Sequence, residues 1–324
     1  MGISGQDGSY LAEHLLGMGV EVHGILRRHS VAENQDTRLY HIQHQAHLYY
    51  GDILDGDSLI SVIDDVRPDL VFNLAAQSQV RISRDMPEFT GMVNGVGVLK
   101  LLSILYRIVP NAKYYQASSS EMFGNERDPD GFQRLTTPMR PVSPYGIAKQ
   151  YAYFTTKYFR AGFNKFACNG ILFNHTSPRR GVNFSEAKIV RGACMIKMGY
   201  RDRLTLGNLA GRRDLGHSKD YTRAMIKILE YKEPRDWIIA MGESHSVKDI
   251  VEYTFGKLDM DWHDYVSIDH TLFRPIPIGE LRGDSSESRK LLDWEPEYTF
   301  HSILDEMVDY WLEYLLKNPP PEKS

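Results

Sequence analysis

Two short stretches carry the side chains best suited to act together, Ser118-Ser119-Ser120-Glu121 and Tyr145-Gly146-Ile147-Ala148-Lys149. The first follows an apolar run, Tyr114-Tyr115-Gln116-Ala117, that reads as a strand. The second opens a helix at Ser143-Pro144. On a helix Tyr145 and Lys149 stand four apart and share a face. An ammonium held there lowers a phenol pKa and favours a phenolate base. The strand end adds hydroxyls and one carboxylate. Ser119, Glu121, Tyr145 and Lys149 are therefore the candidate catalytic set, an acid, a base and hydrogen-bond donors around one small molecule.

Other elements must hold that set in place. Gly2, Gly5 and Gly8 recur at every third position, with Ile3, Ser4, Gln6 and Asp7 between them, and a helix comes next over Tyr10–Leu16. A glycine-rich turn opening a helix is a phosphate cradle, because bare amides and the helix N-terminus point at the anion. Glycine triplets alone are a weak signal. The next segment strengthens it, since Val20–Leu26 alternates like a strand and ends in Arg27-Arg28. In the dinucleotide fold an acid at this place holds a ribose 2′-hydroxyl, whereas arginines hold a 2′-phosphate, which favours NADP over NAD. A solvated loop is the competing reading of that pair. Strand Leu48–Tyr50 delivers Asp52 to the ligand side of an open sheet, where it can accept from an adenine amine, and Asp55 or Asp57 suits a helix N-cap.

Helix Ser58–Val66 leads to a continuous apolar strand, Leu70–Ala76, in which Ala75-Ala76 permits close approach of a cofactor ring. Gly95 and Gly97 inside helix Met92–Ile108 suggest tight packing. Strand Lys113–Ala117 and strand Ala167–Phe173 flank the Tyr145 helix, and strand Asp236–Met241 is expected to rejoin the main sheet. The alternation predicts an α/β fold, a doubly wound parallel sheet. Residues 1–173 would form the dinucleotide-binding domain, rejoined by about 209–241. Residues 174–208 and 242–324 would form a smaller mixed α/β lobe. Helices are expected over Ser246–Leu258, Ser285–Trp294 and Phe300–Leu316, the last with a core stripe of Ile303, Met307, Tyr310, Trp311 and Tyr314. Arg212-Arg213 and Arg274 are isolated basic points that an anionic substrate, such as a nucleotide diphosphate, would need.

Composition narrows the classes. The 324 residues carry a net charge of −4 and no long basic run, which gives nucleic acid or a membrane surface little support. No apolar run approaches the roughly 20 residues that span a bilayer. The two cysteines, Cys168 and Cys194, supply neither a disulfide framework nor a paired metal motif. His41, His44 and His47 lie three apart without an acid or cysteine nearby, and read as surface histidines on a connector, so no metal is expected.

Gly2-x-x-Gly5-x-x-Gly8, Asn73-Leu74-Ala75-Ala76 and Tyr145-x-x-x-Lys149 resemble the extended short-chain dehydrogenase/reductase family. Longer runs at 5–13, 73–78, 115–121, 167–175, 177–181, 206–208 and 216–221 are similar to its GDP-mannose 4,6-dehydratases. The resemblance runs from Gly2 to the Trp294 region. It implies a Rossmann-type fold with a substrate lobe, bound NADP and a GDP-sugar substrate. Tyr145, helped by Lys149, would take the proton of the sugar 4-hydroxyl as hydride leaves carbon 4. Glu121 would take the carbon-5 proton and assist loss of the 6-hydroxyl, and hydride would return to carbon 6. Beyond the cradle residues, the resemblance places cofactor contacts at Arg27, Arg28, His29, Ser30, Asp52, Ile53, Leu74, Ala75, Ala76, Gln77, Ser78, His175 and Arg180. It places sugar-nucleotide contacts at Ser83, Asn174, Lys188, Arg213 and Arg274. A homo-dimer or homo-tetramer in the cytoplasm is implied, with the loop after Arg28 near a subunit interface.

The sequence departs from the family in several places. An apolar strand ahead of the first glycine is usual, and none precedes Gly2, so the cradle is expected to lack that anchor and a core strand's hydrogen bonds to go unmade. Ser119 stands where threonine is common, Gln79 where histidine is usual and Pro277 where an acid is usual. The loop after Phe123 is unusually charged. The last two could shift the substrate, for example to a GDP-manno-heptose. Two rival readings remain. One is an NADP-dependent 4-ketosugar reductase or epimerase, which would not need Glu121. The other is a non-catalytic nucleotide-binding subunit.

Overall fold

The structure is a computed structural model describing residues 1–28 and 38–320; the contacts expected at His29 and Ser30, and much of the loop after Arg28, lie outside the described residues. The chain runs α1 (Gln6–Gly17), β1 (His23–Leu26), β2 (His47–Tyr50), α2 (Gly56–Val66), β3 (Leu70–Asn73), α3 (Val80–Asp85) and α4 (Pro87–Gly91). A π-helical turn (Met92–Val96) then leads into α5 (Gly97–Ile108), β4 (Lys113–Ser119), α6 (Pro144–Gly162) and β5 (Ala167–Leu172). Next come β6 (Asn174–Thr176), α7 (Ser185–Lys197), β7 (Leu204–Leu206), β8 (Arg212–Arg213), β9 (Leu215–His217) and α8 (Ser218–Glu230). Towards the C-terminus lie β10 (Asp236–Ile239), α9 (Val247–Lys257), α10 (Ser286–Leu292) and α11 (Phe300–Lys317).

Parallel pairing joins the strands in the order β10-β5-β4-β3, and β1 pairs in parallel with β2 as a separate ribbon. Strand β5 is buried throughout, as a parallel strand covered on both faces must be. The two-residue period of β4 shows directly: Tyr114 packs with α2, α5 and α6, and Tyr115 packs with Tyr221, Ala224 and Met225 of α8. The sheet is thus doubly wound. A separate core of Ile189, Val190, Val251, Phe255, Ile303 and Met307 unites α7, α9 and α11.

Helix α1 starts at Gln6 rather than Tyr10, because its first turn is polar and carries no apolar signal. Met1 lies along the edge of β3, donating its ammonium to the Phe72 carbonyl at 3.0 Å and accepting from the Leu74 amide at 3.2 Å. Beside it a slot of about 320 Å³, lined by Ile3, Val22, Ile25, Val71, Phe72 and Leu74 among others, separates β1 from β3. The cradle forms all the same, held by close backbone contacts with the loop after β3.

Two expectations need correction. Pro87–Ile108 is a continuous helical stretch of 22 residues with mean hydropathy 1.4, long and apolar enough to cross a membrane. Most of its surface is buried inside the protein, where Leu101, Leu102 and Leu105 fill the core beneath α2. In α11, Ile303, Met307 and Trp311 are buried but Tyr310 and Tyr314 are exposed, because the helical period carries them to the solvent side. The charged loop after Phe123 forms a local knot, in which Arg134 pairs with Asp128, Asp130 and Asp284 at 2.9, 2.6 and 2.8 Å.

One buried pair ties the last strand of the main sheet to α6. Arg160 donates to both Asp236 oxygens at 2.8 and 2.9 Å, while Tyr153 and Asn169 donate to the same carboxylate at 3.0 and 2.9 Å. Removing one partner of a buried pair strands the other charge. Arg160→Met should therefore lower the free energy of unfolding by about 3 kcal/mol in chemical denaturation. A loss below about 1 kcal/mol would show the pair to behave like a solvated one.

Candidate active site

The cradle is set by close backbone approach. Gly2 has φ +76°, and a Cβ there would lie 3.0 Å from the Leu74 carbonyl and the Ala75 amide nitrogen. A Cβ on Gly8 would lie 2.2 Å from the Gly2 carbonyl oxygen. Only glycine tolerates both positions, and the turn so formed aims the N-terminus of α1 outward. Asp7, in the first turn of α1, accepts from His175 Nε2 at 2.9 Å, and His175 Nδ1 lies 2.8 Å from the Phe173 carbonyl. Burial alone would raise Asp7, but His175, Arg180 and Gln6 together hold its carboxyl down at about 2.

Strand β4 carries Ser118 and Ser119 to the floor of a cleft of about 650 Å³. The Glu121 amide donates to Ser119 Oγ at 3.2 Å in the turn that ends the strand. Helix α6 begins against that turn. Ser143 caps it by accepting from the Gly146 amide at 3.1 Å. Gly146 is pressed so close that a Cβ would sit 2.7 Å from the Glu121 carbonyl oxygen. Tyr145 therefore stands beside Ser119 and Glu121, and Lys149 one turn on donates to the Ala117 carbonyl at 2.8 Å.

The expected effect of Lys149 on Tyr145 is not what the structure gives. Burial pushes the Tyr145 phenol up to about 12, with Glu121 adding to the rise, while the Ser119 hydrogen bond and the Arg180 charge pull partly against it. The Lys149 ammonium lies 5.8 Å from the Tyr145 ring centroid. Burial lowers Lys149 itself to about 8, partly offset by the charge of Asp7.

Facing α6 across the cleft, Arg274 donates to the two Glu121 oxygens at 3.0 and 3.2 Å. Arg213 of β8 lies close by. Burial lowers its pKa and the Arg274 charge adds to the fall, while Glu121 and Glu186 work against it. Lys188 of α7 lines the same cleft and donates to the Thr205 carbonyl at 2.6 Å.

The structure brings Ser119, Glu121, Tyr145, Lys149, Asp7, Leu74, Ala76, Ser78, Asn174, His175, Arg180, Lys188, Arg213 and Arg274 around one cleft. Gly2, Ile3, Ser4, Gly5 and Gln6 form the cradle behind it, where Gln6 Oε1 accepts from Ser177 at 3.0 Å. Ala75 and Gln77 continue the loop after β3, and Gln77 is locked by Asn94 of the π-helical turn through bonds of 2.8 and 2.9 Å. Gly95 and Gly97 allow that turn to press on Tyr151 and Ile53. Arg27 and Arg28 are exposed at the end of β1. Asp52 accepts from the Leu54 amide at 2.9 Å, Ile53 is buried, and Asp55 caps α2. Ser83 does not belong to the site: it is fully buried and its hydroxyl donates to the Val80 carbonyl at 2.7 Å. Its neighbours Arg81 and Arg84 line the cleft instead. Their spacing of three on a short helix after β3 is the sequence signal that marks them. Gln79 joins the two sides of the cleft by donating to the Asn183 carbonyl at 3.0 Å.

These residues fit a dinucleotide. The glycine turn leaves no room for side chains between amides and ligand, and the buried Nε of Arg180 has no partner among the described residues.

A family model described as GDP-mannose 4,6 dehydratase matches residues 1–307. The chain belongs to that family. It is 44% identical over 324 residues to "GDP-mannose 4,6 dehydratase 2" of Arabidopsis thaliana, covering 96% of this chain and 86% of that protein. It is 42% identical to the GDP-mannose 4,6 dehydratase of Homo sapiens, covering 98% and 92%. Among solved structures, DesIV (dTDP-glucose 4,6-dehydratase) from Streptomyces venezuelae with NAD and TYD bound superposes with TM-score 0.86 at 19% identity, covering 98% of each chain. RMD from Pseudomonas aeruginosa complexed with NADPH gives 0.80 at 20% identity, covering 97% of this chain and 98% of that one. Family membership makes the protein a hydro-lyase, and the reductase and non-catalytic readings fall away.

The geometry makes two outcomes testable. Gly146→Ala should lower kcat by roughly 100-fold, because the Cβ must push the Tyr145 turn away from Glu121. Steady-state assay of a variant that melts like the parent decides it, and an unchanged kcat would remove the constraint. The profile of kcat/KM against pH should fall above about 8, as Lys149 loses its proton. Lys149→Met should lack that limb.

Proposed function

We propose that the protein converts GDP-D-mannose to GDP-4-keto-6-deoxy-D-mannose, with Ser119, Glu121, Tyr145 and Lys149 carrying the chemistry. The observation that supports this most is the convergence of Tyr145 and Glu121 at the end of β4, a base for the 4-hydroxyl beside a base for carbon 5. Bound NADP, held by the glycine cradle of residues 2–8 with Arg27, Arg28 and Arg180, would supply a hydride acceptor for carbon 4 and a hydride donor for carbon 6. Tyr145 is a neutral phenol in the free cleft; the positive charge of a bound nicotinamide ring would favour its phenolate, which takes the 4-hydroxyl proton while Ser119 hydrogen-bonds the same oxygen. Lys149 keeps a positive charge behind the tyrosine and orients the cofactor ribose. The 4-ketone acidifies the carbon-5 proton, Glu121 removes it, and the protonated carboxyl hands a proton to the departing 6-hydroxyl; as carbon 6 gains hydride, carbon 5 regains a proton, which the one taken up by Tyr145 balances. Arg213, Lys188 and Arg274 offer charge to the diphosphate. Arg274 holds Glu121 through Nη1 alone, so its other guanidinium nitrogens can meet a diphosphate and draw charge away from the base.

Arg27 and Arg28 support NADP over NAD, since an exposed arginine pair at the end of β1 suits a 2′-phosphate. The two cysteines are buried and unpaired, in accord with a reducing cytoplasm. A homo-dimer is supported by α6, where Ile147, Tyr151, Phe154 and Tyr158 are exposed at heptad spacing beside Met92 and Val96.

Incubation of GDP-mannose with the protein and NADP, without added reductant, should yield the 4-keto-6-deoxy product. Tyr145→Phe should lower turnover by about 10²- to 10⁴-fold with GDP-mannose affinity nearly unchanged. Glu121→Gln should allow proton loss at the 4-hydroxyl but block water loss. Turnover of GDP-manno-heptose but not GDP-mannose would move the sugar assignment, and NAD supporting equal rates would refute the arginine reading. Tyr158→Glu should shift a dimer towards monomer in light scattering, and an unaltered mass would exclude the α6 face.

A further inference from the structure

Away from the cleft, Glu21, His23 and His47 gather at the start of the β1–β2 ribbon. The gathering is a product of strand geometry. Glu21 and His23 are two apart and so face the same way, and the parallel register sets His47 directly opposite His23. Both imidazole Nε2 atoms converge on one oxygen, with Glu21 Oε1 lying 3.1 Å from His23 and 3.3 Å from His47. The rings stack at 4.7 Å and 17°. The other nitrogen of His23 is also engaged: Nδ1 lies 3.2 Å from the Tyr49 hydroxyl, which in turn donates to Asp65 at 3.4 Å. With the Nδ1 proton given to Tyr49, His23 Nε2 is left as an acceptor, and the exposed His47 ring would turn out of its stacked position to share one ion with it. A hydrogen-bond chain of this kind fixes tautomer and ring orientation in metal-binding histidines.

We propose that Glu21, His23 and His47 form a binding site for a divalent transition ion of the zinc type. Two neutral imidazoles and one carboxylate are the ligand set such ions take, leaving a fourth position open to water. Zinc–nitrogen bonds of about 2.0–2.1 Å imply tetrahedral edges of about 3.3 Å. Glu21 Oε1 lies at about that distance from both nitrogens, and all three ligand atoms lie within 4.8 Å of one another. The trio carries one negative charge when both histidines are neutral, so a dication is attracted rather than repelled. The ion would clamp the entry of β1 to the entry of β2. The opposite end of that ribbon leads to Arg27, Arg28 and Asp52, but none of the three ligands is part of the cleft. Electrostatic pairing of Glu21 with one protonated histidine is the competing account, and it predicts no metal affinity.

The test uses the whole chain, freed of metal with a chelator. Titration with Zn²⁺ against a chromophoric competitor should reveal one saturable site. Co²⁺ should give the intense visible bands of a four-coordinate ion. His23→Gln and His47→Gln should each weaken binding at least about tenfold, with GDP-mannose turnover unchanged. Both variants sit at a solvent-facing rim, and their melting curves in chelator should match the parent. No saturable site at neutral pH, or undiminished affinity in both variants, would overturn the proposal.

Discussion

The arrangement of the cleft depends on one close contact, the seating of the first turn of α6 on the carbonyl of Glu121. Gly146 permits it, Ser143 caps it and Lys149 anchors the next turn to Ala117. Because α6 also grips β10 through Arg160 and Asp236, the helix is fixed at both ends to strands of one sheet. A rod held this way places Tyr145 with little freedom, which is what a proton transfer over hydrogen-bond distance requires. The strands supply position, and the helix supplies the reacting group.

Electrostatics in the cleft are set largely by burial. It lifts the Tyr145 phenol and depresses Lys149, opposite shifts that leave each group nearer its neutral form. Asp7 goes the other way because a histidine and an arginine outweigh the cost of desolvation. The cleft therefore keeps a stable negative charge beside the cradle and buried cations opposite it. Their partners within the protein are mostly backbone carbonyls.

Much of this is legible in local sequence. The strand and helix around Tyr145 announce themselves by apolar runs, a Ser-Pro start and i, i+4 spacing, all short-range signals. The same holds for the return of β10 to the main sheet, whose apolar run is continuous. The illegible parts depend on distant neighbours. Ser83 looks like a ligand residue by position, but a helical turn folds its hydroxyl inward to Val80. The charges of the loop after Phe123 are plain in the sequence, but that Arg134 pairs with Asp284, far along the chain, is not. Tyr310 and Tyr314 look like core residues because they are large, although the helix period alone puts them outside. The pairing of His23 with His47 needs the register of β1 on β2, which no single-strand pattern encodes.

The bond between Arg274 and Glu121 bears on selectivity. A base that is already neutralised by a guanidinium is poorly able to break a carbon–hydrogen bond. A sugar that entered the cleft without a diphosphate would leave that pair intact. Discrimination against such molecules would then appear in the rate of the elimination step, and not merely in how tightly they bind. On the proposed mechanism the free enzyme holds its carbon base in an ion pair with Arg274, and a diphosphate that draws charge from that guanidinium would strengthen the base.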